Sequence, residues 1–98
     1  MGHILLPKKL LAIRDFLNLS QVQIAESLRS EIPPKGGRSY NIKPGRISEY
    51  ENGRRNPNLV VLLAYAHLAK VHLELIADDR FTLEVFRGQL GKHRLAKR

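Results

Sequence analysis

Apolar residues recur at intervals of three and four along this chain, in short segments separated by proline, glycine and capping residues. Such spacing is typical of amphipathic helices, whereas strands alternate apolar and polar residues. Pro7 suits the first position of a helix, and Ser20 with Gln23 forms a capping-box sequence. We therefore predict an all-α fold, with five short helices in residues 1–78 and a short C-terminal extension in residues 79–98.

The five predicted helices share a small set of positions that helical spacing directs toward a core. They cover residues 7–17, the segment after Ser20, and residues 44–52, 58–70 and 72–78. The residues predicted to be buried are Ile24, Leu28, Ile47, Leu62 and Ala66. The extension is ambiguous, because Phe81, Leu83 and Val85 alternate like a strand while Leu83, Phe86 and Leu90 also suit a helix.

The helical pattern is broken once over a long stretch, in residues 30–41. This stretch holds Pro33-Pro34 and Gly36-Gly37, a composition that predicts a loop. Lys35 and Arg38 make the loop basic.

The net charge is +8, of which +4 lies in residues 81–98. Such an excess suggests a polyanionic partner, with a solvated surface and a basic tail as the alternative. The chain has no cysteine, which excludes disulfides and thiolate zinc sites and fits a reducing cytoplasm. The longest apolar stretch, residues 59–66, is too short to span a bilayer, so no membrane partner is expected.

The histidines do not form a catalytic or metal-binding pattern. His67 and His72 are five residues apart and fall on different faces of a helical segment, while His3 and His93 lie near the ends. No carboxylate joins them as a ligand set. We therefore expect no catalytic residues, no metal and no cofactor, and the chain is not predicted to be an enzyme.

Three groups of residues carry a family resemblance: Ser20-Gln21, Ile24-Ala25 and Leu28; the block from Ile47 to Pro57; and Leu59, Leu62-Leu63, Ala66, Val71 and Leu73. Together they resemble the Cro/cI-type, or XRE-like, helix-turn-helix regulators. The resemblance implies a lambda-repressor-like domain that binds specific double-stranded DNA as a transcriptional regulator, a repressor. The family links its second and third helices by a short turn, so residues 30–41 form a long insertion here.

In helix-turn-helix proteins the recognition helix, third in this family, enters the major groove, where each base pair shows a distinct set of donors and acceptors. The resemblance implies base contacts at Pro44, Gly45 and Glu49. Because Pro44 and Gly45 have no base-reading side chain, Lys43 or Arg46 can take over the reading of guanine. Glu49 can accept a hydrogen bond from cytosine N4, with a solvated surface carboxylate as the alternative.

Contacts to DNA phosphates are expected from residues on either side of the third helix. The resemblance places Gln21 at a phosphate, and the amino end of a helix favours anions. Arg54 and Arg55 follow the third helix directly, and Lys35 and Arg38 in the loop are additional candidates. Helix capping is the alternative for Gln21, and solubility is the alternative for the arginines.

Two further expectations concern packing and assembly. The resemblance implies a structural ion pair between Arg14 and Glu51. The outward positions Val60, Val61 and Ala64 of the fourth helix are apolar here and usually polar in the family, which favours a homodimer through these residues or through the Phe81–Phe86 segment. The alternative to a dimer is that the Phe81–Phe86 segment of the same chain covers these residues of the fourth helix.

Two other functions compete with DNA binding. One is a protein-interaction module, such as an antitoxin that binds its toxin, and the other is RNA binding through the basic tail.

Overall fold

The chain forms six α-helices in the residues that its structure, a computed structural model, describes: residues 5–32 and 41–92. The helices are α1 (Leu6–Leu17), α2 (Gln21–Glu31), α3 (Pro44–Glu51), α4 (Leu59–Ala69), α5 (Leu73–Ala77) and α6 (Leu83–Gln89). These two ranges contain no strand. The predicted all-α class is confirmed, and the arrangement is consistent with a lambda-repressor-like fold.

Side-chain caps fix where three of the helices begin. At α2, Ser20 Oγ accepts from the Gln23 amide at 3.1 Å, and Gln23 Oε1 accepts from the Ser20 amide at 2.9 Å, so the predicted capping box is complete. Asn58 and Thr82 cap α4 and α6, each accepting from the amide three residues later. Each cap satisfies an N–H group that the first turn of a helix leaves without an intrahelical partner.

The core lies where α1 packs against α3, α4, α5 and α6, and where α2 packs against α3 and α4. Of the five residues predicted to be buried, Ile24, Leu28, Ile47 and Ala66 are buried, whereas Leu62 is only partly buried. An isolated helix of eight residues is unstable in water. The conformation of α3 therefore depends on the packing of Ile47 against α1 and α2.

The inner face of α4 differs from the one expected. Val61 and Ala64, predicted to point outward and form a dimer seam, are buried at 2% and 3% exposed, so this assignment is wrong. Leu59 and Leu63 are 59% and 41% exposed instead, and Val60 is also exposed. The sequence of α4 is apolar on every side. Its hydrophobic spacing therefore does not indicate which side faces the core.

The extension adds a helix to the core and not a strand. α6 packs against α1, and Phe86 is completely buried there. The prediction that the Phe81–Phe86 segment forms the dimer interface is therefore wrong for Phe86. Beyond α6, Gly91 has a positive φ of 78°, and a Cβ added to it would lie 2.7 Å from the ring of Phe16. The positive φ favours glycine at this position, and any larger residue would also have to displace the exposed Phe16 ring.

Lys9 is buried in this core, which is rare for a lysine. Its Nζ donates to the carbonyl oxygens of Leu75 at 2.7 Å and Asp78 at 3.0 Å, at the carboxyl end of α5. It also lies 5.5 Å from the centre of the Phe86 ring, so one side chain of α1 joins α5 and α6. Burial lowers the pKa of Lys9, against the opposing effect of the Asp79 and Asp78 carboxylates.

Candidate nucleic-acid interface

One face of α3 is fixed in the core and its opposite face is open. Ile47 and Tyr50 are buried, and α3 packs against both α1 and α2. Near the start of α3, the Arg29 guanidinium donates to the carbonyl oxygen of Ile42, which ties the last turn of α2 to the segment that enters α3. The exposed face of α3 is therefore held in a defined direction.

A shallow surface cleft of about 420 Å³ lies at the amino end of α3. It is lined by Asn41, Lys43, Gly45, Arg46 and Glu49. Four of the five residues expected to read bases thus border one cleft, while Pro44 is partly buried at the first position of the helix. Sequence reasoning missed Asn41, which was placed at the end of the loop and carries no pattern that marks it. The amide, ammonium, guanidinium and carboxylate groups make this a hydrogen-bonding surface.

Glu49 connects two arginines to which the sequence assigned different roles. Its Oε1 lies 3.2 Å from Nε of Arg46, three residues earlier on α3, and 3.0 Å from Nε of Arg55, in the turn after α3. Burial raises the pKa of Tyr50, and the Arg46 side chain beside its hydroxyl opposes that rise. A candidate base-reading arginine and a candidate phosphate-binding arginine are therefore joined through one carboxylate oxygen.

A second charged network lies where α1, α2 and α3 meet. Arg14 Nε donates to Glu51 Oε2 at 2.7 Å, and its Nη2 donates to Oε1 at 3.1 Å. Gln21 Nε2 donates to the same Oε1 at 3.2 Å, and Arg14 Nη1 donates to the Leu19 carbonyl oxygen at 3.1 Å. The hydrogen bond with Glu51 is the main reason that the pKa of Arg14 is raised. The structure thus brings Arg14 and Glu51 together and adds Gln21 to them.

Residues 37–76 match a family model described as helix-turn-helix. This segment is similar to helix-turn-helix domains of the Cro/cI type. The match begins after α2 has ended and includes α3, α4 and most of α5, so it covers the cleft and the contacts of Glu49. Comparison with curated proteins and with solved structures finds no match to the chain. The helix-turn-helix match supports a DNA-binding regulator and gives no support for catalysis.

The candidate phosphate contacts of this helix-turn-helix protein lie in different settings. Gln21 is the first residue of α2 and is partly buried, with its side chain on Glu51. Arg54 and Arg55 are exposed in the turn that follows α3. Lys35 and Arg38 lie outside the described residues. The described candidates thus occupy the amino end of α2 and the carboxyl end of α3.

The described part of this helix-turn-helix protein was also searched for metal sites and for membrane-spanning helices. Residues 5–32 and 41–92 hold no group of three histidine, aspartate or glutamate side chains placed to bind a metal ion. None of the helices in these ranges has the length and apolar character needed to cross a membrane.

Proposed function

We propose that this helix-turn-helix protein binds a specific double-stranded DNA sequence as a transcriptional repressor, with α3 in the major groove. The observation that carries the proposal is the cleft at the amino end of α3, where four candidate base-reading residues border one exposed surface. An α-helix fits the major groove of B-DNA, and polar side chains there can distinguish all four base pairs. A protein that occupies its site in this way represses by excluding other proteins from the same DNA.

The residues of the cleft divide by the chemistry they offer to a base edge. Arg46 and Lys43 can donate to guanine O6 and N7, and the Asn41 amide suits the N6 and N7 of adenine. Pro44 and Gly45 contribute no reading side chain. Their small size allows the backbone of α3 to approach the DNA closely.

Phosphate contacts then fix the register of α3 in the groove. Arg54 and Arg55 are exposed at one end of α3, and Gln21 lies at the amino end of α2. Lys35 and Arg38 extend this set if the loop follows the DNA backbone. The logarithm of the binding constant falls with the logarithm of the salt concentration, and each phosphate that the protein neutralises steepens this slope by about 0.9.

A two-fold symmetric homodimer on an inverted repeat is part of the proposal. One α3 offers few reading side chains, and each bidentate contact discriminates by about 1–3 kcal/mol. Specific and non-specific binding differ by about 4–10 kcal/mol, so a second half-site closes the gap. The exposed residues Leu59, Val60 and Leu63 lie together on α4 at helical spacing and form an apolar stripe that suits a second copy.

Selection of bound duplexes from a random pool tests the proposal. We expect enrichment of an inverted repeat whose half-sites lie about 34–36 Å apart. Arg54→Gln should weaken binding to every duplex and reduce the salt slope by about one unit. Arg87→Gln is the matched control, because it removes the same charge from an exposed residue of α6.

Two outcomes would contradict the proposal. One is a pool that shows no enrichment after repeated selection. The other is a competition in which single-stranded RNA removes the protein from the bound duplex more effectively than an excess of the selected duplex does at the same salt concentration. That result would favour RNA binding instead.

A further inference from the structure

We propose that Glu49 determines the sequence specificity of this protein by positioning Arg46 and Arg55, and that it does not itself read a base. The proposal rests on the proposed function and assigns Glu49 a different role from the one that the family resemblance implies. Its basis is the shared oxygen of Glu49, which lies 3.2 Å from Arg46 Nε and 3.0 Å from Arg55 Nε.

Stability does not account for this arrangement. Arg46 and Arg55 are exposed, and the Glu49 side chain is 41% exposed. Ion pairs in such surroundings add little to the stability of a fold, because water and salt screen them. Arg46 and Glu49 instead line the cleft, where their directions matter for a ligand, and Arg55 reaches Glu49 from the turn after α3.

The contact with Glu49 leaves other N–H groups of Arg46 for a base. A guanidinium presents five N–H groups in a fixed planar fork, and the Nε of Arg46 lies 3.2 Å from Glu49 Oε1. Four further N–H groups lie on the two terminal nitrogens, beside the Tyr50 hydroxyl, and two such groups side by side match O6 and N7 of guanine. An arginine without a partner samples many rotamers, so the ion pair with Glu49 limits the directions in which the fork points.

The charge of Glu49 has a second effect on binding. Its carboxylate lies beside Arg46 and Arg55, in the cleft that Lys43 also lines, and reduces the attraction of this surface for phosphate. Removing that charge allows both arginines to bind the phosphates of DNA of any sequence. It also removes the restraint on the orientation of the Arg46 guanidinium. Affinity for unrelated DNA should therefore rise while discrimination falls. If Glu49 instead accepted a hydrogen bond from cytosine N4, its replacement would reduce discrimination only at the base pair that it contacts.

Glu49→Gln is the direct test, since it keeps the shape of the side chain and removes its charge. Binding is measured over a salt series on the selected duplex and on a scrambled duplex of equal length. We expect the affinity for the scrambled duplex to rise, with a salt slope steeper by about one unit. The ratio of the two affinities should fall by about tenfold. Glu84→Gln on α6 makes the same charge change at an exposed site, and it should leave the ratio unchanged.

A double substitution separates positioning from reading. If Glu49 acts through Arg46, then E49Q should cost little further specificity in a protein that already carries Arg46→Ala. The proposal is overturned if E49Q keeps the wild-type ratio, or if its loss is confined to one base pair and adds to that of R46A. A wild-type protein that does not distinguish the selected duplex from the scrambled one would instead remove the proposed function, and this proposal with it.

Discussion

Arg14 on α1 donates two hydrogen bonds to the carboxylate of Glu51 on α3, at 2.7 and 3.1 Å. The Glu51 side chain is 7% exposed and also accepts from Gln21 at the start of α2. Hydrogen bonds between charged groups in such a sheltered place are strong and directional. The network therefore fixes the end of α3 relative to the two helices that support it.

Replacing Arg14 with methionine should leave the Glu51 carboxylate nearly buried without its cation. We expect the free energy of unfolding, measured in urea, to fall by about 3 kcal/mol. Adding Glu51→Leu to the Arg14→Met protein should restore part of the loss, because no charge is then left in the site. A loss below about 0.5 kcal/mol in the single variant, the range of ordinary surface substitutions, would show that the pair does not hold α3.

Gly45 and Gly88 are both helical, and a Cβ added to either meets nothing within 4 Å. Alanine is favoured over glycine in helices by up to about 1 kcal/mol, so G45A and G88A should melt at or above the wild-type temperature. Gly45 lies on the proposed DNA surface and Gly88 lies on α6. We expect G45A to weaken binding of the selected duplex about tenfold and G88A to leave it unchanged. Wild-type affinity in G45A would mean that the DNA does not approach this part of α3 closely.

The buried Lys9 makes a prediction about pH. In the folded protein its pKa is lowered from the ordinary value of 10.5. At a pH below this lowered pKa, the amine is protonated in both the folded and the unfolded chain. Between that pKa and 10.5 the unfolded chain binds more protons, so the free energy of unfolding rises with pH. Lys9→Met removes the titrating group, and the difference in stability between wild type and K9M should rise across this range.

The comparison with K9M also removes a competing effect. Burial raises the pKa of Tyr50 and Tyr65, so both tyrosines destabilise the fold as the pH passes their unfolded value of 10. Both are present in wild type and in K9M, and their effect cancels in the difference. A difference that stays constant up to pH 10.5 would contradict the account of Lys9.

The apolar stripe of Leu59, Val60 and Leu63 predicts how the dimer can be broken. Leu63→Lys places a charge on the stripe and should convert a dimer to a monomer in sedimentation, and the protomer should still fold because Leu63 is exposed. Val85→Lys on α6 is the matched control, since Val85 is also an exposed apolar residue. One wild-type protomer on each selected duplex, well above the dissociation constant, would refute the dimer.

Local signals in the sequence predicted much of this fold. The capping box at Ser20 and Gln23 acts within one turn, so it gives the start of α2 without knowledge of the rest of the chain. The spacing of Ile24, Leu28 and Ile47 likewise indicated the faces of α2 and α3 that are buried. The residues around the cleft followed from the position of α3 and the family resemblance, apart from Asn41.

Features that depend on contacts between distant segments were not predictable. α4 is apolar all round, so only its neighbours decide that Val61 is inside and Leu63 outside. Lys9 is buried because the carbonyl groups at the end of α5 and the ring of Phe86 meet it, and lysine is normally exposed. The contact of Arg55 with Glu49 depends on the path of the turn after α3, which no spacing rule gives.

Methylation interference on the selected duplex tests the central claim most directly. Methylation of guanine at N7 places a methyl group in the major groove, whereas methylation of adenine at N3 places one in the minor groove. If α3 reads the major groove, methyl groups on guanine N7 should block binding at matching positions of the two half-sites, and Arg46→Ala should remove that interference at a guanine it contacts. Interference only at adenine N3, or none at any guanine N7, would contradict the account.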